Sequence, residues 1–272
     1  MKANKITASI LLTISLICVL VSGNSFLNMH IEEPIAKGPG VTEVKLLSDF
    51  YPELRDTAGD TEPGGSMLVL GGTHPNEPSG LISAVLLIEN AKLDKGTLYV
   101  IPRANNSGFT HNDPQEGAPQ KFTIKTAFGE RWFRYGSRAT NPVDQWPDPD
   151  VYIHASSRQQ LSGSETRNLN RGYPGRQDGT FTEKVCYGIA ELIRKENITL
   201  SIDLHEAAPE YPVINAIVSH EKAMDISSQV VMNLEFENVT IGLEPSPVNL
   251  HGLTHRELGD YTDTLSVLME TA

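Results

Sequence analysis

The stretch from Ser66 to Ile101 limits what this chain can fold into more than any other part of it. Ser66 to Gly72 (SMLVLGG) is a compact apolar run ending in two glycines, and Thr97 to Ile101 (TLYVI) is a second apolar run. Between them Pro78 stands where the first turn of a helix is expected, and Leu81 to Ile88 is apolar on nearly every side. Strand, loop, buried helix and strand make a βαβ unit, whose crossover favours a parallel pair.

The same alternation returns downstream. Thr180 and Glu183 have capping-box spacing, and Phe181, Val185, Ile189, Leu192 and Ile193 fall on one helical stripe. Ile198 to Leu204 follows as a strand, then Val213 to Val218, a weaker Val239 to Leu243, and Leu265 to Met269. Such an order predicts an α/β fold: one domain with a mixed, mostly parallel central sheet flanked by helices. Between Arg103 and Gly179 the pattern disappears into Gly, Pro, Asn, Ser and Arg. Loops that long are built around a site or are disordered, and the scattered Trp132, Phe133, Tyr135 and Trp146 argue for order.

Three segments follow. Lys2 and Lys5 precede an uncharged run from Ile6 to Val21, and Val21-Ser22-Gly23 suits a signal peptidase, so residues 1–23 read as a secretory signal peptide. An uncleaved anchor, which would leave the protein at the membrane, is the alternative. Residues 24–65 form an N-terminal extension and lead-in, and 66–272 the α/β domain. Cleavage predicts an exported, periplasmic or extracellular protein with no membrane attachment, and leaves Cys186 without a disulfide partner. Net charge is −12, from 22 basic and 34 acidic residues; loss of the first 23 residues, with two lysines and no acid, leaves −14. That balance argues against nucleic acid or an anionic membrane as partner.

Two histidines are placed to bind metal. His74, in His74-Pro75-Asn76-Glu77, follows a strand and Gly71-Gly72, at the carboxyl end where open α/β sheets hold ligands. In the strand from Ile198, the residues Ile198, Leu200, Ile202 and Leu204 take one face, while Ser201, Asp203 and His205 take the other. His205 therefore also leaves a strand at its carboxyl end. Singly, each histidine has a structural explanation; two of them with Glu77 make a known catalytic zinc set. Arg167-Asn168-Leu169-Asn170-Arg171 suits a carboxylate, through a planar guanidinium fork and a neutral amide, or is a solvated Arg-rich loop.

H-x-x-E, then N-x-N-R, then a strand ending D-L-H, then a strand ending in Glu, resembles the zinc carboxypeptidase superfamily, with closest similarity to its succinylglutamate desuccinylase/aspartoacylase branch. The match runs from about Leu68 to Glu270. The resemblance implies a hydrolase with one zinc per chain, held by His74, Glu77 and His205, and Glu270 as the group that activates water and passes its proton to the leaving amine. It implies Asn170 and Arg171 as the pair that holds the free carboxylate of a small-molecule or peptide substrate. Arg134 is the expected oxyanion partner, with Arg103 and Arg138 as competitors. An N-acyl-amino-acid deacylase, a carboxypeptidase acting on peptides or cell-wall stems, and a non-catalytic binder of metal or carboxylate all fit.

Three departures stand out. Asn168 occupies the place of an Asp that supports a zinc-binding His, which predicts weaker support and altered metal affinity. The substrate-side Tyr has no secure match, Tyr261 and Tyr211 being candidates. Relatives continue past the catalytic Glu, so the domain reads as cut short at its C-terminus. His255, before the last strand, is placed to reach the pocket, and Glu206 is expected to lie behind the metal site or on the surface.

Overall fold

The computed structural model describes residues 13–17, 65–93, 95–112 and 119–271. The chain divides into two units, 1–34 and 35–272. In the first, residues 13–17 are helical; the remainder of the expected signal peptide, and all of the lead-in except Gly65, lie outside the described residues. Among the described residues no helix is long and apolar enough to cross a membrane.

A six-stranded sheet organises the second unit. Its strands, named in chain order, are β1 (Ser66–Leu70), β2 (Thr97–Ile101), β7 (Leu200–Glu206), β8 (Ala216–Ser219), β9 (Gly242–Pro245) and β10 (Leu265–Thr271), in spatial order β2-β1-β7-β10-β8-β9. All neighbours are parallel except β10 and β8. Four helices flank it: α1 (Pro78–Asn90), α2 (Phe181–Lys195), α3 (Met224–Phe236) and α4 (Thr254–Tyr261). The expected mixed, mostly parallel α/β sheet is therefore the observed one.

Each face of the sheet has its own core, because alternate residues of a strand point to opposite sides. Val69 and Val100 pack with Ala84 and Ile88 of α1, while Ile202 and Val267 pack with Ile226 and Val231 of α3. On the other face Leu68, Leu70 and Ile101 meet Ile189, Leu192 and Ile193 of α2 and Leu258 of α4. Burying one such aliphatic side chain contributes about 1.5–3 kcal/mol. Helix α2 begins at the expected capping box: Thr180 Oγ1 accepts from Glu183 N at 3.3 Å, and the Glu183 carboxylate accepts from Thr180 N at 2.8 Å. Helix α1 has Pro78 at its start but no cap of its own; Glu206, from β7, accepts from Ser79 N at 2.9 Å instead. Glycine lets α1 lie this close, since a Cβ on Gly80 would stand 2.3 Å from the Leu204 carbonyl oxygen.

The described part of the irregular region is ordered and carries two small sheets, β3 (Lys121–Thr126) with β4 (Gly129–Arg134) and β5 (Val151–Ile153) with β6 (Gln160–Ser162). Its aromatics account for only part of that order. Phe133 and Tyr152 are buried, but Trp146 and the hairpin-tip Phe128 are exposed. Polar bonds supply the rest: Arg167 donates twice to Asp148, and the Gln145 side chain joins the Thr166 carbonyl to the start of α2 at Thr182.

Candidate metal centre

The centre is built at the carboxyl ends of β1 and β7. After β1, Gly72 turns the chain with φ +62, a conformation that favours glycine, and places Thr73 and His74 in the interior. A tight turn, with Glu77 N donating to the His74 carbonyl at 3.0 Å, brings the Glu77 carboxylate back over the ring. Its Oε1 lies 2.8 Å from His74 Nδ1, and its Oε2 lies 2.8 Å from His205 Nδ1. The two rings meet edge to face at 4.7 Å, and one ligand atom from each of the three residues lies within 4.8 Å of the other two.

The far side of each ring is also held. His74 Nε2 lies 2.9 Å from Asn168 Oδ1, which also accepts from Asn170 N. The Asn168 amide nitrogen donates to Glu165 Oε2 at 2.7 Å, so the neutral amide found where an acid was expected has a carboxylate behind it. His205 Nε2 lies 2.9 Å from Asp203 Oδ2, too poorly aligned for a hydrogen bond. Thr73 and Thr254 hydroxyls donate to the two oxygens of Asp203, at 2.7 and 2.5 Å.

Burial and charge divide the histidines. Burial pushes His74 down to about 4, against the pull of Glu77. His205 is equally buried, but Asp203 and Glu77 together outweigh that and hold it well above the ordinary histidine value. Burial opposes ionisation of Glu77 as well, yet the two rings keep it far below the usual carboxylate range. Asp203 is likewise lowered against its burial by His205 and the two threonines.

A cation suits this set of donors. A neutral His74 carries one ring proton, but its two nitrogens face two acceptors, Asn168 Oδ1 and Glu77 Oε1. A positive ion between Nδ1 and the carboxylate resolves that conflict and leaves the proton on Nε2 for Asn168, the arrangement that metal-bound histidines adopt. Two imidazole nitrogens and a carboxylate match the donor chemistry of zinc.

Other expected site residues divide between the centre and its surroundings. Glu270, on β10, sits in register beside His205, which puts the two side chains on one face of the sheet. It is partly buried, and burial, with Glu77 and Asp203 nearby, raises it above the ordinary carboxylate value. Asn170 is buried, with Oδ1 accepting from Thr254. Arg171 Nη1 donates to the Asn170 carbonyl at 2.7 Å, and its Nε lies 3.6 Å from Glu165. Arg134, at the end of β4, donates to the Phe109 carbonyl at 2.7 Å. Arg138 is the arginine that reaches the centre, donating to Glu77 Oε1 at 2.9 Å with its side chain 41% exposed. Arg103 is buried against the Phe109 ring. Tyr261 stands beside Thr262 to Thr264, which lead into the amino end of β10, so it is at the opposite edge of the sheet from the centre. Tyr211 is exposed in the loop after β7. His255 is buried in α4; neither ring nitrogen has a partner among the described residues, and burial lowers it to about 3. Glu206 follows His205 directly: its N–H donates to Glu77 Oε2 at 3.3 Å, while its carboxylate accepts from Ser79 N at 2.9 Å.

Sequence reading missed Glu165, Thr73 and Thr254. Small hydroxyl residues next to a loop glycine or at a helix start carry no distinguishing signal. The strict alternation of buried Ser201, Asp203 and His205 was the available hint that such partners must exist, since a buried carboxylate requires them.

No family model matches the sequence, and no curated protein matches it. Among solved structures, the chain is similar to the succinylglutamate desuccinylase/aspartoacylase of Rhodobacter sphaeroides, with 15% identity, 76% of this chain and 48% of that one covered, and a TM-score of 0.43. The product-bound ectoine utilization protein EutE (DoeB) of Ruegeria pomeroyi is 19% identical, covering 76% and 49%, with a TM-score of 0.46. A metallo-carboxypeptidase from Burkholderia cenocepacia is 12% identical, covering 78% and 49%, with a TM-score of 0.45. The chain spans about half the length of these structures. Identities and TM-scores this low carry no chemistry from those proteins to this one. The sheet and the strand-end cluster define this chain's class on their own: an α/β protein with a His-Glu-His site fit for a metal.

Proposed function

We propose that the protein is a zinc-dependent hydrolase that cleaves an amide bond adjacent to a free carboxylate, with N-acyl amino acids as its substrate class. The observation that carries this reading is the convergence of His74, Glu77 and His205, with Glu270 in register beside His205. Those three ligands would hold one zinc, which when bound supplies Lewis acidity for the scissile carbonyl and for water. Glu270, raised toward neutrality, is suited to accept a proton from the attacking water and return it to the leaving amine. Arg138 takes the role of steadying developing negative charge, since its guanidinium reaches the centre where that of Arg134 is directed to Phe109. Asn170 and Arg171 hold the substrate carboxylate. Export after cleavage near Gly23, with no membrane attachment and no nucleic-acid partner, belongs to the same proposal and rests on the sequence and its net charge.

Metal analysis of purified protein should give close to one zinc per chain, and Glu270→Gln should retain it while hydrolysis of a panel of N-acyl amino acids falls by about 10²–10⁴-fold. Full zinc occupancy in His205→Ala sinks the ligand assignment. Undiminished turnover in Glu270→Gln removes that residue from the chemistry. Faster release of C-terminal residues from short peptides than of acyl groups moves the substrate class to peptides.

A further inference from the structure

Two buried parts of the proposed site meet at Thr254, the first residue of α4, which is 1% exposed. Its backbone N–H donates to Asn170 Oδ1 at 2.8 Å. Its hydroxyl lies 2.5 Å from Asp203 Oδ2 and 3.0 Å from Asn170 Oδ1. Both of these oxygens are acceptors, and a hydroxyl has one proton to give. Asp203 takes it, because a bond to an ionised carboxylate is the shorter and stronger of the two. Asn170 Oδ1 is then held by the N–H. An amide whose oxygen is fixed in this way must turn its NH2 to the other side.

We propose that Thr254 is a positioning residue with two separable roles: its N–H makes Asn170 present donors to the substrate carboxylate, and its hydroxyl holds Asp203 against the metal ligand His205. The first role rests on the reading of Asn170 given above; the second needs only the metal centre. A carboxylate, with two acceptor oxygens, gains more from an outward NH2 than the corresponding carboxamide, which carries an NH2 of its own. One threonine thereby sets both the anion preference of the site and the rigidity of one metal ligand.

The geometry allows the two roles to be separated. Thr254→Val keeps shape and N–H and removes the hydroxyl. Thr254→Pro removes both, at a first helical position where proline is well tolerated. Leu253 before it already has φ −73 and ψ 139, a conformation compatible with a following proline. Zinc affinity is read by competition with a chromogenic chelator, and ligand binding by calorimetry on zinc-loaded protein with a panel of N-acetyl amino acids and their carboxamides. Thr254→Val should lose about tenfold in zinc affinity and keep the preference for carboxylates, while Thr254→Ser stays within about twofold of the parent on both readouts. Thr254→Pro should lose zinc affinity to the same extent and, in addition, about tenfold in affinity for the carboxylates but not for the carboxamides. Parent-like zinc affinity in Thr254→Val overturns the hydroxyl's role, and an intact carboxylate preference in Thr254→Pro overturns that of the N–H. A parent chain that binds none of the panel also overturns the N–H role. One that binds carboxylates without hydrolysing them leaves both roles standing and overturns only the proposed activity.

Discussion

Strands β1 and β7 lie side by side and turn one face toward α2 and α4, yet they line that face with opposite chemistry. Leu68 and Leu70 of β1 are paired in register with Ser201 and Asp203 of β7, and all four are at most 1% exposed. The leucines pack into an aliphatic core, and their contribution needs no particular partner. Each polar group on β7 needs a specific one: Ser266 for Ser201, and Thr73, Thr254 and His205 for Asp203. Equal burial therefore means different things on the two strands. On this face β1 supplies aliphatic packing, whereas β7 holds a polar spine whose groups must be matched one by one.

The largest effect that separates the strands should come from Leu70→Ala. It should cost about 2–5 kcal/mol in denaturant unfolding and leave zinc affinity of the folded protein within about twofold. Asp203→Asn should do the reverse, lowering zinc affinity by about 10–100-fold in chelator competition because His205 loses its charged support. If both substitutions shift zinc affinity equally, the division between the strands does not hold. The smallest effect sharpens the contrast within β7 itself. Ser201→Ala leaves the Ser266 hydroxyl buried without its 2.8 Å partner and should cost about 1–2 kcal/mol, whereas Ser201→Ala with Ser266→Ala should recover most of that loss. A double variant no more stable than the single one would show that the hydroxyl pair acts by something other than mutual satisfaction.

Much of this fold was legible because its signals are local. The βαβ run from Ser66, the Pro78 start and the Thr180–Glu183 box each depend on residues within a few positions of one another. Elements whose burial does not follow hydrophobicity were harder to read. Helix α3 fully buries only Ser227, so its apolar stripe is weak, and α4 is mostly polar although six of its eight residues are buried. The β3–β4 hairpin leaves much of its surface in water, and only Phe122, Ile124 and Phe133 mark its inner side. At the site, His74 and His205 were legible from their places at strand ends, and Glu77 from its spacing to His74. The reach of Arg138 past Arg134 was not, since it depends on where an irregular loop returns to the sheet.

The sequence alone determined which chemistry could gather at the carboxyl edge of the sheet: period-two alternation placed Asp203 and His205 on one face, and a four-residue motif placed His74 beside Glu77. The tertiary structure alone decided how those groups are held. Asp203 meets Thr73 across 130 positions and Thr254 across 51, and His74 meets Asn168 across 94. A buried polar atom must find a partner wherever the fold brings one, and that partner's identity is written in the packing of distant elements rather than in the spacing of neighbours.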